Sequence, residues 1–370
     1  MSVTNVVWSG GQAYASIHKV HGQILALIGG REKVRTWVLQ GSGEGLGAAA
    51  GDIKEWGMAT AQLKGRGLWR LCLPIVRSRL RRKLQEEAAR VLLLDGIGVA
   101  RLCVPLLNDL PDVRALVVFH GVTRLRPADI RLLRRFPADR LQLVAVSAAL
   151  AASLHKQLER PVIALRTAID PQQFQSALLD GAAARQALQA PAAESPLLGA
   201  VGRLVPEKGY ATLLEALALL VGKGIRLHLV IVGEGEQRPV LEAKIRQLGL
   251  AGHVTLAGHR ADVARLYRAF DLMLTPSRNE GLGLVVQEAV MAGVPVVCSD
   301  LPVFVEQIGA AGVYLAPDDV AGWAAAIERV LAEGGASLAA RQYRELAPEQ
   351  AWEAFCRGYR ALLAADSIRT

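Results

Sequence analysis

Only four of the 370 residues are cysteine, and Cys72, Cys103, Cys298 and Cys356 stand too far apart for the paired spacing of a zinc site or a redox dithiol. They read as small buried hydrophobes in a reducing compartment. No run of eighteen apolar residues occurs, so no segment is predicted to span a membrane. The opening "MSVTNVVWSGG" lacks the basic start, apolar stretch and small-residue cleavage site of a secretory signal, which leads to the expectation of a cytoplasmic protein. Aromatic residues make up 5% of the chain, few for stacking on bases, and no zinc-finger, RNA-recognition or helix-turn-helix pattern is present. A nucleic-acid partner is therefore not expected, despite a net charge of +9. No Asp-x-Asp pair occurs either, and no metal site is predicted.

Apolar residues are plentiful, at 52%, enough for ample core and for two domains of ordinary size. The charge is unevenly placed. Residues 1–180 hold 25 of the 43 Lys and Arg against 14 of the 34 Asp and Glu, a net +11, and the remainder is −2. A basic first half suits an anionic partner such as a phosphorylated substrate or a lipid surface.

Short apolar runs alternate with amphipathic ones along both halves. In the second, "PLLGAVGRL" (196–204), "LHLVIVG" (227–233), "HVTLAG" (253–258), "LMLTP" (272–276) and "VPVVCSD" (294–300) read as strands, separated by helices over 209–224, 236–248, 261–269 and 284–292. In the first, strands are expected over "VTNVVWSGGQ", 35–41, 90–96, 114–121, 141–147 and 160–170. Strand–helix alternation predicts parallel sheets covered on both faces, with ligands at the carboxyl ends of the strands. The expected division is an N-terminal Rossmann-like domain over 1–170, an Ala-rich linker over 171–195, a C-terminal Rossmann-like domain over 196–350, and a final helix over 351–370. Trp352, Phe355, Tyr359 and Leu362 form one apolar stripe on that helix, which is expected to pack on the first domain.

Glu280 and Glu288, in "SRNEGLGLVVQEAVMAGVPVVCSD" (277–300), raise the question of an acid/base pair. On one helix they would lie about 12 Å apart, and about 26 Å apart in extended chain. Retaining glycosidases need about 5 to 5.5 Å and inverting ones about 6.5 to 9.5 Å, so a hydrolytic pair is disfavoured. Gly281 and Gly283 instead allow close backbone approach to a ligand just before a helix N-terminus, a natural seat for phosphate. Arg203 and Lys208, in "GRLVPEKG" after the first strand of the same domain, add positive charge.

These residues resemble the GT-B glycosyltransferases of family 4. Glu280, Gly281, Gly283, Leu284 and Glu288 match that family's Glu, seven residues, Glu hallmark, "GRLVPEKG" its G-R-L-x-x-x-K-G, and "VGEG" (232–235) its V-G-x-G. The resemblance implies a GT-B fold of two doubly wound domains facing across a cleft, with a C-terminal helix crossing back to the first. It implies a retaining, metal-independent hexosyltransferase that needs no cofactor and takes a nucleotide sugar, UDP-linked by preference, as substrate. Arg203 and Lys208 would neutralise the diphosphate, Leu284 and Val285 offer it amides, Glu288 bind the ribose and Glu280 the sugar hydroxyls. Gly258 and His259 would lie beside the base, Gly10 and Gly11 beneath the diphosphate, and His120 near the reacting sugar. The catalytic set so implied is Glu280, His120, Arg203 and Lys208. "AIDPQQF" departs from the family's N-G-I-D-x-x-x-F, with Thr167 and Ala168 where Asn and Gly are usual.

His18 and His21 share a helical face at i, i+3, but the sequence places no third ligand or carboxylate beside them, so they read as structural. The basic stretch 64–85, "KGRGLWRLCLPIVRSRLRRKLQ", has Trp69, Cys72, Leu73, Val76, Leu80 and Leu84 at helical spacing, with Arg70, Arg77, Arg79, Arg81, Arg82 and Lys83 crowded among them. It reads as a helix lying on an anionic membrane surface, which would make the protein peripheral on the cytoplasmic face of the inner membrane. A core-facing helix with a solvated basic face is the other reading. An anionic glycan or lipid-linked acceptor, lipopolysaccharide core first, is the expected partner. A nucleotide-sugar epimerase, and capsule, exopolysaccharide or phospholipid glycosylation, are the alternatives.

Overall fold

The computed structural model describes residues 2–9, 15–29, 33–64, 69–190 and 195–364. The chain forms two units, Met1–Thr167 with Glu353–Thr370, and Ala168–Trp352.

The first unit is built on seven parallel strands: β1 (Ser2–Ser9), β2 (Lys33–Gln40), β3 (Asp52–Glu55), β4 (Val91–Asp95), β5 (Arg114–Phe119), β6 (Leu141–Ala145) and β7 (Ile163–Ala164). Their order is β3-β2-β1-β4-β5-β6-β7. β4 and β5 are largely apolar runs, and all six residues of β5 are buried, as a sheet covered by helices on both faces requires. The strand expected over 160–170 shrinks to the two residues of β7, although the Leu165 and Thr167 amides go on to donate to the Ala145 and Val146 carbonyls.

The second unit repeats the plan with β8 (Leu197–Val201), β9 (His228–Val232), β10 (Val254–Gly258), β11 (Leu272–Thr275), β12 (Val296–Ser299) and β13 (Val313–Leu315), ordered β10-β9-β8-β11-β12-β13 and parallel throughout. Leu198, Leu229, Ile231, Leu274 and Trp323 lie in its core. In each sheet the order reverses between the first and fourth strands. The carboxyl ends on either side of that reversal splay apart and leave a crevice for ligand.

Two expectations change in detail. The helix expected over 261–269 is a pair of single 3₁₀ turns, Val263–Arg265 and Tyr267–Ala269. Leu266, Tyr267, Ala269 and Phe270 are buried and Arg265 and Arg268 exposed, a spacing that one face of a helix would also give, so the pattern alone does not distinguish the two. Residues 171–195, read as a linker, instead contain helices Pro171–Ala177 and Gly181–Ala187 and fall within the second unit. Asp170 caps the first by accepting from the Gln172 and Gln173 amides, and Asp180 caps the second. Alanine, taken as a mark of a linker, is the best helix former.

The last helix, Pro348–Ala364, starts in the second unit and ends in the first. Phe355, Tyr359 and Leu362 are buried, and the buried Arg114 guanidinium donates to the Leu362 carbonyl at 2.7 Å and the Leu363 carbonyl at 2.5 Å.

Candidate functional site

The switch point of the second sheet gathers most of the residues singled out in the sequence. Beyond β8 the chain runs through Gly202 and Arg203 into a 3₁₀ turn, Pro206–Lys208, and a helix, Tyr210–Gly222. Gly209 joins the two at φ 67°, and a Cβ there would stand 2.1 Å from the Pro276 carbonyl oxygen at the end of β11. This close approach needs glycine, and it brings the two loops together. The Arg278 amide donates to the Glu207 carbonyl at 2.7 Å, stitching them further.

Lys208 and Glu280 consequently form an ion pair across 72 residues of sequence, both side chains mostly shielded from solvent. Glu280 Oε1 also accepts from the Gly281 amide at 3.2 Å. Arg203 is exposed and has no ion-pair partner among the described residues. Gly283, at φ 62°, caps the helix Leu284–Met291, and the first amides of a helix have no partner within it. Leu284 is buried and Val285 half-buried, and neither amide meets an acceptor among the described residues.

Glu288 lies one turn into that helix, buried, and accepts from the Tyr267 hydroxyl at 2.7 Å. The two acids thus hold different partners and do not share a proton. Burial, and then the neighbouring carboxylates, push the hydroxyls of Tyr210 and Tyr267 far above their ordinary range, so both stay protonated donors. Gly258, at φ 75°, ends β10 and precedes an exposed His259; both lie beside the Glu234–Arg238 ion pair.

In the first unit, His120 follows β5 and meets a group that sequence spacing did not reveal. Its Nε2 lies 3.0 Å from His21 Nε2, and 3.7 Å from Oδ1 of Asp95 at the end of β4. His21, read as structural, is indeed buried and hydrogen-bonded, with Nδ1 2.6 Å from Asn5 Oδ1. It nevertheless has a second imidazole and a carboxyl group beside it, contrary to the reading that none accompanies it. Burial lowers His120 to about 3, and burial followed by the nearby His120 and His18 lowers His21. Burial raises Asp95 to about 6 against the opposing pull of the Trp8 amide. Asp95 was legible in principle, as an acid closing the apolar run "VLLLDG" at a strand's carboxyl end. The three could chelate a cation geometrically. Gly10 and Gly11 lie outside the described residues.

Residues 185–348 match the family model Glycosyl transferases group 1. The match falls within the second unit. Relatives of the chain include the lipopolysaccharide core biosynthesis glycosyltransferase LpsE of Rhizobium meliloti, 34% identical over 176 residues, or 46% of this chain and 51% of LpsE. The aligned part thus spans about half of that relative. The mannosyltransferase LpsB of the same organism is 28% identical over 70% of this chain and 76% of its own. Among solved structures, Anabaena Alr3699/HepE in complex with UDP superposes with a TM-score of 0.78 over 99% of both chains at 19% identity. The fold is therefore GT-B, two Rossmann-like units.

Proposed function

We propose that the protein is a hexosyltransferase that moves a sugar from a nucleoside-diphosphate donor, UDP-linked by preference, onto a glycan or lipid-linked acceptor with retention at the anomeric carbon. The observation that carries this reading is the second unit's switch point. An exposed Arg203, the Lys208–Glu280 pair and two unused helix amides converge there within the stretch that matches the group 1 glycosyl transferases. A diphosphate is a good leaving group and needs no acid to protonate it. What it needs is stabilisation of growing negative charge, which a guanidinium, an ammonium and preorganised amides supply.

Glu280 has two tasks in this scheme. In the free protein it neutralises Lys208, and when the diphosphate arrives to take the ammonium, the carboxylate is released to accept hydroxyls of the transferred sugar. Glu288, steadied by Tyr267, takes the ribose hydroxyls. Arg203 and Lys208 do the electrostatic work that a cation does elsewhere, so transfer is expected to persist in EDTA.

The acceptor reading rests on charge and on the relatives, two of which are named for lipopolysaccharide core synthesis. The helix Trp69–Glu86 supports a surface role: Leu71 and Ile75 are 75% and 63% exposed, and Arg79 and Arg82 continue the same exposed face. Residues 65–68 and the side chains of Trp69 and Arg70 lie outside the described part. No described helix is long and apolar enough to cross a membrane. An interfacial helix of this kind binds through a few apolar side chains and about 1 kcal/mol per basic residue near an anionic surface.

The test is transfer from UDP-, GDP- and ADP-hexoses to deacylated and native lipopolysaccharide core, with the new linkage read by the proton coupling of its anomeric carbon. A retained configuration from one donor class supports the proposal. Hydrolysis alone, epimerised donor, or no turnover of any nucleotide sugar refutes it. Flotation with anionic vesicles tests the surface, and charge reversal at Arg79, Arg81 and Arg82 should abolish it.

A further inference from the structure

The buried polar chain behind His120 has a direction, and the direction can be read from its far end. A backbone carbonyl only accepts, so Thr36 Oγ1, 2.8 Å from the Ala50 carbonyl oxygen, spends its one proton there. Asn5 Nδ2, 3.3 Å from the same hydroxyl oxygen, must then be its donor, which turns Asn5 Oδ1 toward His21. His21 Nδ1, 2.6 Å away, donates to that oxygen and carries the ring's proton. A neutral His21 therefore offers a bare Nε2, and His120 Nε2, 3.0 Å from it, is the donor of the pair. Asp95 Oδ1, 3.7 Å from the same His120 nitrogen, favours a proton on that side too. Thr36, Asn5 and His21 are each at most 1% exposed, so water does not compete for these bonds.

The chain ends on His120 Nδ1, a buried atom with no hydrogen-bond partner. We infer that Thr36, Asn5 and His21 are positioning residues that lock neutral His120 in its Nε2–H form and present Nδ1 as a fixed acceptor for a sugar hydroxyl of the substrate. The inference rests on the transferase reading for the identity of that hydroxyl. A hydroxyl donating to a bare Nδ1 fixes the sugar's orientation, and the wrong tautomer would meet it proton to proton. The groups facing the two rings are Asp95 from β4, Asn5 from β1, and His18 from the same helix as His21.

The experiment is two-bond ¹H–¹⁵N correlation on the full chain labelled at histidine, with His120 and His21 assigned by substitution, in the free protein and with UDP-glucose added. Wild type should show both rings neutral, His120 protonated at Nε2, and the Nδ1 resonance moving when the sugar nucleotide binds. Thr36→Val removes the hydroxyl that sets the polarity, and should give mixed His120 tautomers and roughly a tenfold fall in kcat at little changed donor KM, the scale of one lost hydrogen bond. Thr36→Ser should restore both.

A His120 ring protonated at Nδ1 or doubly protonated overturns the inference, as does an unchanged tautomer in Thr36→Val. So does joint binding of zinc by both rings, which would make the cluster a metal centre. The tautomer is read without turnover, so a locked Nε2–H ring in a protein that binds no sugar nucleotide condemns the transferase reading. An Nδ1–H ring in an active transferase condemns only the chain.

Discussion

The side chain on which the proposed chemistry turns most sharply is Glu280, because its partner in the free protein is a residue that the substrate needs. Removing the carboxylate releases Lys208 from its ion pair. Glu280→Ala is therefore expected to bind UDP as tightly as wild type or up to about tenfold tighter, while transfer falls by about a hundredfold or more, the cost of a lost transition-state contact. Calorimetry against turnover separates the two effects, and parallel loss of both would make Glu280 merely structural. The histidines give a pH dependence. His21 and His120 are held below their ordinary 6.5, His120 at about 3, so their contribution to stability is complete above 6.5 and is lost as the pH falls toward the folded values. Asp95, raised from 3.8 to about 6, acts oppositely: its contribution is present below 3.8 and is lost as the pH rises through about 6. Two histidines outweigh one carboxyl group, so the melting temperature should drop between about pH 7 and about pH 5, and drop less steeply in His120→Gln. A steeper fall in the variant would contradict the assignment. Glu280, Glu288, Arg203 and Lys208 were readable because each sits in a short motif with fixed spacing. The contact of His21 with His120 was not, since 99 residues separate them and only the sheet order closes the gap.

Loops and strands show where local sequence suffices. The long buried strands announce themselves as apolar runs, while β3 ("DIKE") and β13 ("VYL") stand at sheet edges and pair on one side only. β3 is largely exposed and β13 is three residues long, so neither carries a hydrophobic signal of useful length. The paired 3₁₀ turns before β11 were hidden for another reason, since Leu266, Tyr267, Ala269 and Phe270 are buried at a spacing that one face of an α-helix also gives. The loop from β8 depends on Gly209, where left-handed φ and the nearby Pro276 carbonyl oxygen both exclude a side chain. Gly209→Ala should cost about 2 kcal/mol or more of stability in urea unfolding. It should also weaken UDP binding, since it moves the turn that carries Lys208. Unchanged stability would show that the two loops can part without strain.

The whole molecule uses one strand plan twice and divides its charge unevenly, the cationic excess falling on residues 1–180. The final helix serves the first unit's core through residues remote in sequence. Phe355→Ala should destabilise the protein by about 3 to 5 kcal/mol, the usual cost of emptying a buried aromatic site. Tyr359→Phe removes a buried hydroxyl that has no hydrogen-bond partner and should be neutral or stabilising, which calorimetric melting would show. The central claim, that the second unit's switch point holds a nucleoside diphosphate, is tested most directly by isothermal titration of UDP and uridine into wild type and Arg203→Ala. The account predicts that UDP binds wild type at least about tenfold more tightly than uridine, and that Arg203→Ala removes most of this difference, as loss of a charge-assisted contact to phosphate should. Equal affinities for UDP and uridine in wild type, or a difference that survives Arg203→Ala intact, would contradict it.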